Sequence, residues 1–91
     1  MELGQSSLIS EHPDLYFSDG DIVVLANAPD HHRQAFRVHR FLLSHHSPVF
    51  KDMFTLIIPD GAEKYKGVPL VHLSDDAADI AALLNFLYNP A

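Results

Sequence analysis

The 91-residue sequence contains no cysteine, and its six lysine and arginine residues are outnumbered by twelve aspartate and glutamate residues. Without cysteine the chain can form neither a disulfide framework nor a thiolate metal site, so its core must come from apolar packing. The formal net charge of −6 opposes the electrostatic attraction that supplies most non-specific nucleic-acid affinity. We therefore expect no nucleic-acid contact from this segment.

Long hydrophobic runs are also missing, because no apolar stretch approaches the ~20 residues that a membrane-spanning helix needs. The first ten residues lack the basic start and apolar centre of a signal peptide. We therefore expect a single small domain that does not enter a membrane and works inside the cell, in the cytoplasm or the nucleus.

The first half of the chain reads as extended segments and strands. Residues 1–18 are polar and mixed, which predicts a mostly extended segment, and Asp19-Gly20 supplies a turn. Residues 21–26 form an uninterrupted β-branched and aliphatic run, which is typical of a strand covered on both faces. After a polar loop, residues 35–38 alternate between apolar and polar, so we expect a second strand that pairs with the first as a hairpin.

Two helices follow the second strand. Val38, Phe41, Leu42 and His45 fall at helical intervals, which predicts one to two turns of helix ending near His46. The dipeptide Ser47-Pro48 then marks the start of another helix, since the Ser hydroxyl can accept a free backbone N–H and Pro is tolerated at the first helical position. The apolar stripe of this helix consists of Phe50, Met53, Phe54 and Ile57.

The last third predicts a polar, mobile loop at 62–67, a strand near 70–73 and a final helix that begins at Ser74, Asp75 and Asp76. The final helix carries a long apolar stripe, and Leu83 and Phe86 extend its apolar surface well beyond one face. Such a helix needs cover on two sides, so the sequence predicts either a fragment of a larger domain or a second chain that covers it.

Seven features follow one another in a specific order: an Asp-led strand, a strand that ends in His, a short helix with Leu, a Ser before the next helix, a Phe within that helix, a further strand, and a helix that ends in Tyr. They are carried here by Asp21, Val38-His39, Leu42 or Leu43, Ser47, Phe50 followed by Met53-Phe54, residues 71–73, and Phe86-Leu87-Tyr88. This order resembles the BTB/POZ domain family over about three quarters of the chain. The fold that the resemblance implies is α+β, with a β-β-α-α-β-α core in which helices flank a small sheet.

The resemblance implies an extended N-terminal segment at 1–18 and a BTB/POZ-like domain at 19–91. Family members usually continue past the Tyr with further helices, so we expect this domain to be incomplete at its C-terminus. Many dimerising members also carry an extra strand and helix before the first core strand, and residues 1–18 show no amphipathic helix of that kind.

The function that the resemblance implies is protein–protein interaction, as a dimerisation or adaptor module, with no catalysis and no cofactor. The expected partners are proteins, either a second copy of the chain or a cullin scaffold of a ubiquitin ligase. Cullin-binding members often carry a hydrophobic residue, any residue and an acid shortly after the Met-Phe pair, and Ile58-Pro59-Asp60 occupies that place. The predicted protein-binding residues are Met53, Phe54, Ile58 and Asp60.

Five residues are predicted to have structural roles: Asp21, His39, Ser47, Phe50 and Tyr88. In the family that the chain resembles, Asp21 and His39 occupy polar positions near the core. We expect this acid and this imidazole to satisfy each other or nearby backbone groups.

Other functions fit parts of the sequence. A transcriptional regulator would carry its DNA-binding part on a separate basic domain. A small hydrolase can be drawn from Ser44 or Ser47 with His45 and Asp52, but no Gly-x-Ser-x-Gly turn is present and helix capping explains Ser47. The seven histidines invite a metal site, yet no cysteine or well-spaced carboxylate completes a tetrahedral set, so we predict no metal ligands.

Overall fold

The computed structural model describes residues 8–57 and 63–89, with the side chains of Leu56 and Ile57 left out. Five strands and three helices form within these ranges. In chain order they are β1 (Ile9–Tyr16), β2 (Ile22–Asn27), β3 (Arg33–Val38), α1 (Arg40–His46), α2 (Pro48–Ile57), β4 (Lys64–Tyr65), β5 (Val68–Asp76) and α3 (Ala77–Tyr88). The predicted α+β fold is confirmed, and the observed order adds β1 and β4 to the predicted β-β-α-α-β-α core.

The strands form one sheet in the order β1-β3-β2-β5-β4. Strands β2 and β3 pair antiparallel, which confirms the predicted hairpin. Strand β1 lies parallel to β3, and β5 lies parallel to β2. Because β1 falls within residues 1–18, the sheet includes part of the segment that the sequence predicts to be extended.

Strand β2 lies at the centre of the sheet and is buried on both faces, as its apolar run predicts. Its residues from Ile22 to Ala26 are at most 2% exposed. On one face Ile22 and Val24 pack with Phe36, Leu43 and Leu84, which brings the helices onto the sheet. On the other face Val23 and Leu25 pack in a smaller cluster with Ala35, Val68 and Leu70.

The sheet curls so that its two edges meet around that smaller cluster. Glu11 on β1 accepts hydrogen bonds through Oε2 from Tyr65 Oη at 3.0 Å and from Lys66 Nζ at 2.6 Å. Tyr65 belongs to β4, the opposite edge strand, and Lys66 follows it directly. The contact brings the two edges together on the side of the buried residue Val23, where none of the described helices packs.

The turn predicted at Asp19-Gly20 is confirmed and leaves room only for glycine. The Gly20 N–H donates to the carbonyl oxygen of Phe17 at 3.0 Å. A Cβ atom at Gly20 would lie 2.8 Å from both Val38 O and Arg37 Cγ. Because one of these neighbours is backbone, the hairpin would have to shift to admit any side chain.

The structure corrects two predictions about the last third of the chain. Residues 64–67 are not a mobile loop: Lys64 and Tyr65 form β4, and a tight turn with positive φ at Lys66 and Gly67 leads into β5. The predicted start of the final helix at residues 74–76 is confirmed for Asp76, which is the N-cap of α3. Ser74 and Asp75 still belong to β5, where the Asn27 side chain donates to Ser74 O at 3.0 Å. The first residue of α3 is Ala77.

Of the described helices, none has both the length and the apolar character needed to cross a bilayer.

Phe50 lies in the larger core cluster at 6% exposure, while its neighbour Val49 is 70% exposed. We expect Phe50→Ala to lower the free energy of unfolding by about 3–5 kcal/mol, because it removes a buried ring and leaves a cavity. Val49→Ala is the matched control and should change it by less than about 0.5 kcal/mol. Urea melts of both variants measure this difference, and a loss under about 1 kcal/mol for Phe50→Ala would contradict its core position.

The edge contact predicts a pH dependence of stability. The hydrogen bond from Lys66, followed by that from Tyr65, lowers the pKa of Glu11 below its ordinary value. A lowered pKa stabilises the fold above the pKa of the unfolded chain, and this contribution is lost as the pH falls through the folded pKa. Urea melts across acidic pH should therefore show the difference between the wild type and Glu11→Gln shrinking as the pH falls.

Asp14→Asn serves as the control for that comparison, since it removes one negative charge from the same exposed strand without touching the edge contact. A difference between the wild type and Glu11→Gln that stays constant down to low pH would mean that the ion pair contributes nothing.

Candidate partner-binding surface

His39 joins the end of β3 to the end of α3. Tyr88 Oη accepts a hydrogen bond from the His39 backbone N–H at 2.9 Å and lies 2.8 Å from Nδ1 of the same residue. Nε2 of His39 lies 2.9 Å from Asp19 Oδ1. The phenol can donate its own hydrogen to Nδ1, which leaves the Nε2–H to donate to the carboxylate. The Phe17 ring stacks on Tyr88 with centroids 4.7 Å apart and covers this junction.

The two titratable partners of His39 have shifted pKa values. The hydrogen bond from His39 lowers the pKa of Asp19. Burial raises the pKa of Tyr88, against the opposing effect of the His39 backbone bond. Asp19 is therefore an anion and Tyr88 a neutral phenol at neutral pH, which is the state that the hydrogen bonds require.

Asp21 caps helix α1. Its Oδ1 accepts the Arg40 backbone N–H at 2.8 Å, and its Oδ2 lies 3.2 Å from Arg40 Nε. His39, the residue before the helix, makes no capping bond with its own side chain. Asp21 and His39 therefore do not bind each other. Asp21 binds a nearby backbone group, which is the other alternative that the sequence left open, and His39 binds Asp19 and Tyr88.

The outward side of α3, which we call the outer α3 face, consists of Asp79, Ala82, Leu83 and Phe86. All four are exposed, with Leu83 at 39% and Phe86 at 67%. The opposite side of the helix is buried through Ala77, Ile80, Leu84 and Leu87. The prediction that apolar residues extend beyond one face of this helix is confirmed. Leu83 and Phe86 lie one turn apart, so they form one small apolar patch on this face.

A second surface lies between α1 and α2, and we call it the α1–α2 groove. It has a volume of about 510 Å³, and its lining includes Arg40, Phe41, Ser44 and Lys51. Phe41 is 81% exposed, and its ring stacks on His45 with centroids 5.9 Å apart. The groove thus combines an exposed aromatic ring with two cationic side chains.

The predicted protein-binding residues do not meet at one exposed site. Phe54 is 7% exposed and Met53 is partly buried against the same core, which leaves little of either for a partner to touch. Ile58 and Asp60 lie outside the described residues.

Ser47 Oγ accepts the Phe50 N–H through a long hydrogen bond of 3.4 Å, as expected for a helix start. Within residues 8–57 and 63–89 no group of three metal-ligating side chains comes together.

Phe41 does not lie on the buried side of α1, where its helical spacing with Val38 and Leu42 predicts it. Leu43 is the fully buried residue of α1, while Phe41 points to solvent. A helix of seven residues offers too few positions to fix which side faces the core. Placing Leu43 on the same side as Phe50 would have left Phe41 outside and identified it as a surface aromatic.

Comparison with known proteins gives one match. The family model of the BTB/POZ domain matches residues 16–91, which is most of the chain. No curated protein and no solved structure matches.

The hydrogen bonds of Tyr88 can be tested by removing its hydroxyl. We expect Tyr88→Phe to lower the free energy of unfolding by about 1–3 kcal/mol, because the half-buried His39 N–H loses its acceptor. Tyr65→Phe is the control, since its hydroxyl binds an exposed carboxylate and should cost less. Chemical denaturation measures the free energy of unfolding of both variants. Equal losses would mean that the hydrogen bonds of Tyr88 to His39 stabilise the fold no more than the exposed bond of Tyr65 does.

Proposed function

The chain belongs to the BTB/POZ domain family, and we propose that it acts within this family as a dimerisation or adaptor module whose partner contact is the outer α3 face. BTB/POZ domains are protein–protein interaction modules and not enzymes, so the chain is an interaction module as well. The observation that carries the proposal is the exposure of Leu83 and Phe86 on a helix whose other side is buried.

The apolar side chains and the rigidity of the outer α3 face support its assignment as the partner contact. Burying a large apolar side chain contributes about 1.5–3 kcal/mol, and aromatic residues recur among the energetic centres of interfaces. Tyr88 fixes the end of the helix through its bonds to His39, so little ordering is needed when a partner binds. A rigid apolar helix face suits a docking surface better than a flexible loop does.

The small size of the outer α3 face limits the affinity with which it can bind a partner. A helix of 12 residues is about 18 Å long, so a contact made by this helix alone falls short of the ~800 Å² per partner that stable interfaces bury. We therefore expect self-association through this face to be weak and to depend on protein concentration.

The α1–α2 groove supports the adaptor part of the proposal, because it is a separate surface on other helices. Its Lys51 gives it positive charge in a chain whose net charge is −6, while the charge of Arg40 is offset by the ion pair with Asp21. A partner that carries acidic residues next to an aromatic or aliphatic one would complement this groove. One copy of the chain could thus hold a second copy at α3 and a different protein at the groove.

Three narrower expectations stay predictions. Cullin binding depends on Ile58 and Asp60, which lie outside the described residues, and a role in transcription depends on DNA-binding parts outside this chain. An intracellular location is likewise an expectation from the sequence.

The proposal is tested by measuring mass across a concentration series with light scattering. We expect the wild type to approach twice its monomer mass at high concentration, and the double variant Leu83→Ser with Phe86→Ser to stay monomeric with an unchanged circular dichroism spectrum. Both replaced side chains are exposed, so the fold should survive. Ala78→Ser, an exposed position on the same helix, is the control and should dimerise like the wild type.

A second double variant, Phe41→Ser with Val49→Ser, decides between the two surfaces. If it abolishes the dimer while the α3 variant does not, the contact lies on α1 and α2 and the assignment to α3 is wrong. A wild type that stays monomeric at every concentration would overturn self-association.

A further inference from the structure

A cleft opens on the side of the sheet that faces away from the helices, between the two sheet edges. It has a volume of about 380 Å³. Its apolar lining includes Ile9, Leu25 and Leu70, which belong to β1, β2 and β5. Leu25 and Leu70 are themselves core residues of the smaller cluster, so the floor of the cleft is rigid. Small-molecule sites in proteins start at about this size and are mostly apolar with a few polar groups.

Two cations and one carboxylate are among the polar residues that line the cleft. Arg33 and Lys64 line it and are two of only six lysine and arginine residues in the chain. Glu63 is the carboxylate among its lining residues, and its Oε1 already lies 2.9 Å from Nε2 of His72. The cleft is therefore a positively charged place on a chain with a net charge of −6, and such a place attracts anions.

Arg33 also has an unmet hydrogen-bonding requirement. Its Nε atom is buried and finds no acceptor in the part of the chain that the structure describes. Buried N–H groups are nearly always paired, because leaving one unpaired costs free energy. A guanidinium group matches the geometry of a carboxylate and can bind it through two hydrogen bonds. Because Arg33 also lines the cleft, its guanidinium is the group there best suited to hold a carboxylate.

We propose that this cleft binds a monocarboxylate attached to a compact apolar body, with the carboxylate at Arg33 and the apolar body over Leu25 and Leu70. The volume admits one short apolar chain or one large side chain. Two sources have this chemistry: a free short-chain carboxylic acid, and the C-terminal residue of a peptide that ends in an aliphatic side chain. The site does not depend on the outer α3 face, which lies on a different side of the sheet.

The test is a titration of the isotope-labelled full chain, followed through backbone amide shifts in NMR spectra. We expect hexanoate and acetyl-leucine to move the amides of Leu25, Arg33 and Leu70, and hexanamide, which has the same chain without the charge, to move them much less. Tighter binding of acetyl-leucine would identify the source as a peptide C-terminus, and tighter binding of hexanoate would identify it as a free acid.

Variants decide whether the cations of the cleft are responsible. Arg33→Met keeps most of the side-chain length and should weaken hexanoate binding by about tenfold or more, because it removes hydrogen bonds to a charged group. Lys64→Gln should weaken it by about two- to threefold through the loss of an exposed charge. Lys51→Gln, on α2, removes the same charge far from the cleft and should leave binding unchanged.

If Arg33→Met does not fold, the comparison of Lys64→Gln with Lys51→Gln carries the test, because both side chains are exposed. Shifts spread evenly over the chain, equal responses to hexanoate and hexanamide, or equal affinities of Lys64→Gln and Lys51→Gln would each overturn the proposal.

Discussion

The burial of strand β2 on both faces is the constraint on which the rest of this domain depends. Each face of β2 must be covered by apolar side chains from other elements. A segment of 91 residues has few helices and strands to cover both faces. The protein meets the first need with Leu43, Phe50 and Leu84 from α1, α2 and α3. It meets the second by curling the sheet, so that β1 and β4 approach each other over Val23 and Leu25.

The different cover on the two faces of β2 also explains where the exposed aromatic residues and the cleft lie. The helices are held from one side only, so their outward residues Phe41 and Phe86 remain in solvent. None of the described helices packs on the curled side, and the gap between its edges forms a cleft. The two kinds of surface differ in chemistry: helix faces with aromatic side chains suit other proteins, whereas a small cationic cleft suits a small anion.

Much of the fold could be predicted from the sequence, because in many segments the local sequence pattern favours the same structure that tertiary packing requires. The aliphatic run of β2 and the Ser47-Pro48 helix start belong to this class. Strand β1 could not be predicted, since its sequence is polar and contains Pro13, and its strand form depends on pairing with β3 in an irregular register. The same holds for the polar end of β5 at Ser74, which a side chain from β2 holds in place.

The candidate surfaces were less predictable than the fold. The outer α3 face could be read from the sequence, because Leu83 and Phe86 break the pattern of a helix with one apolar side. The cleft could not, since Ile9, Arg33 and Leu70 come from three strands that are far apart in the chain and meet only when the sheet curls. The residues of such a site are not separated by a characteristic spacing that could be recognised in the sequence.

The order of the strands in the sheet has a consequence for cooperativity. The central strand has a neighbour from the first half of the chain on one side and a neighbour from the last third on the other. A piece of the chain that ended before β5 would leave one whole edge of β2 without backbone partners and would remove Val71, Ile80 and Leu84 from the core. Strands β2 and β5 therefore depend on each other for backbone partners, and we expect them to form and melt together.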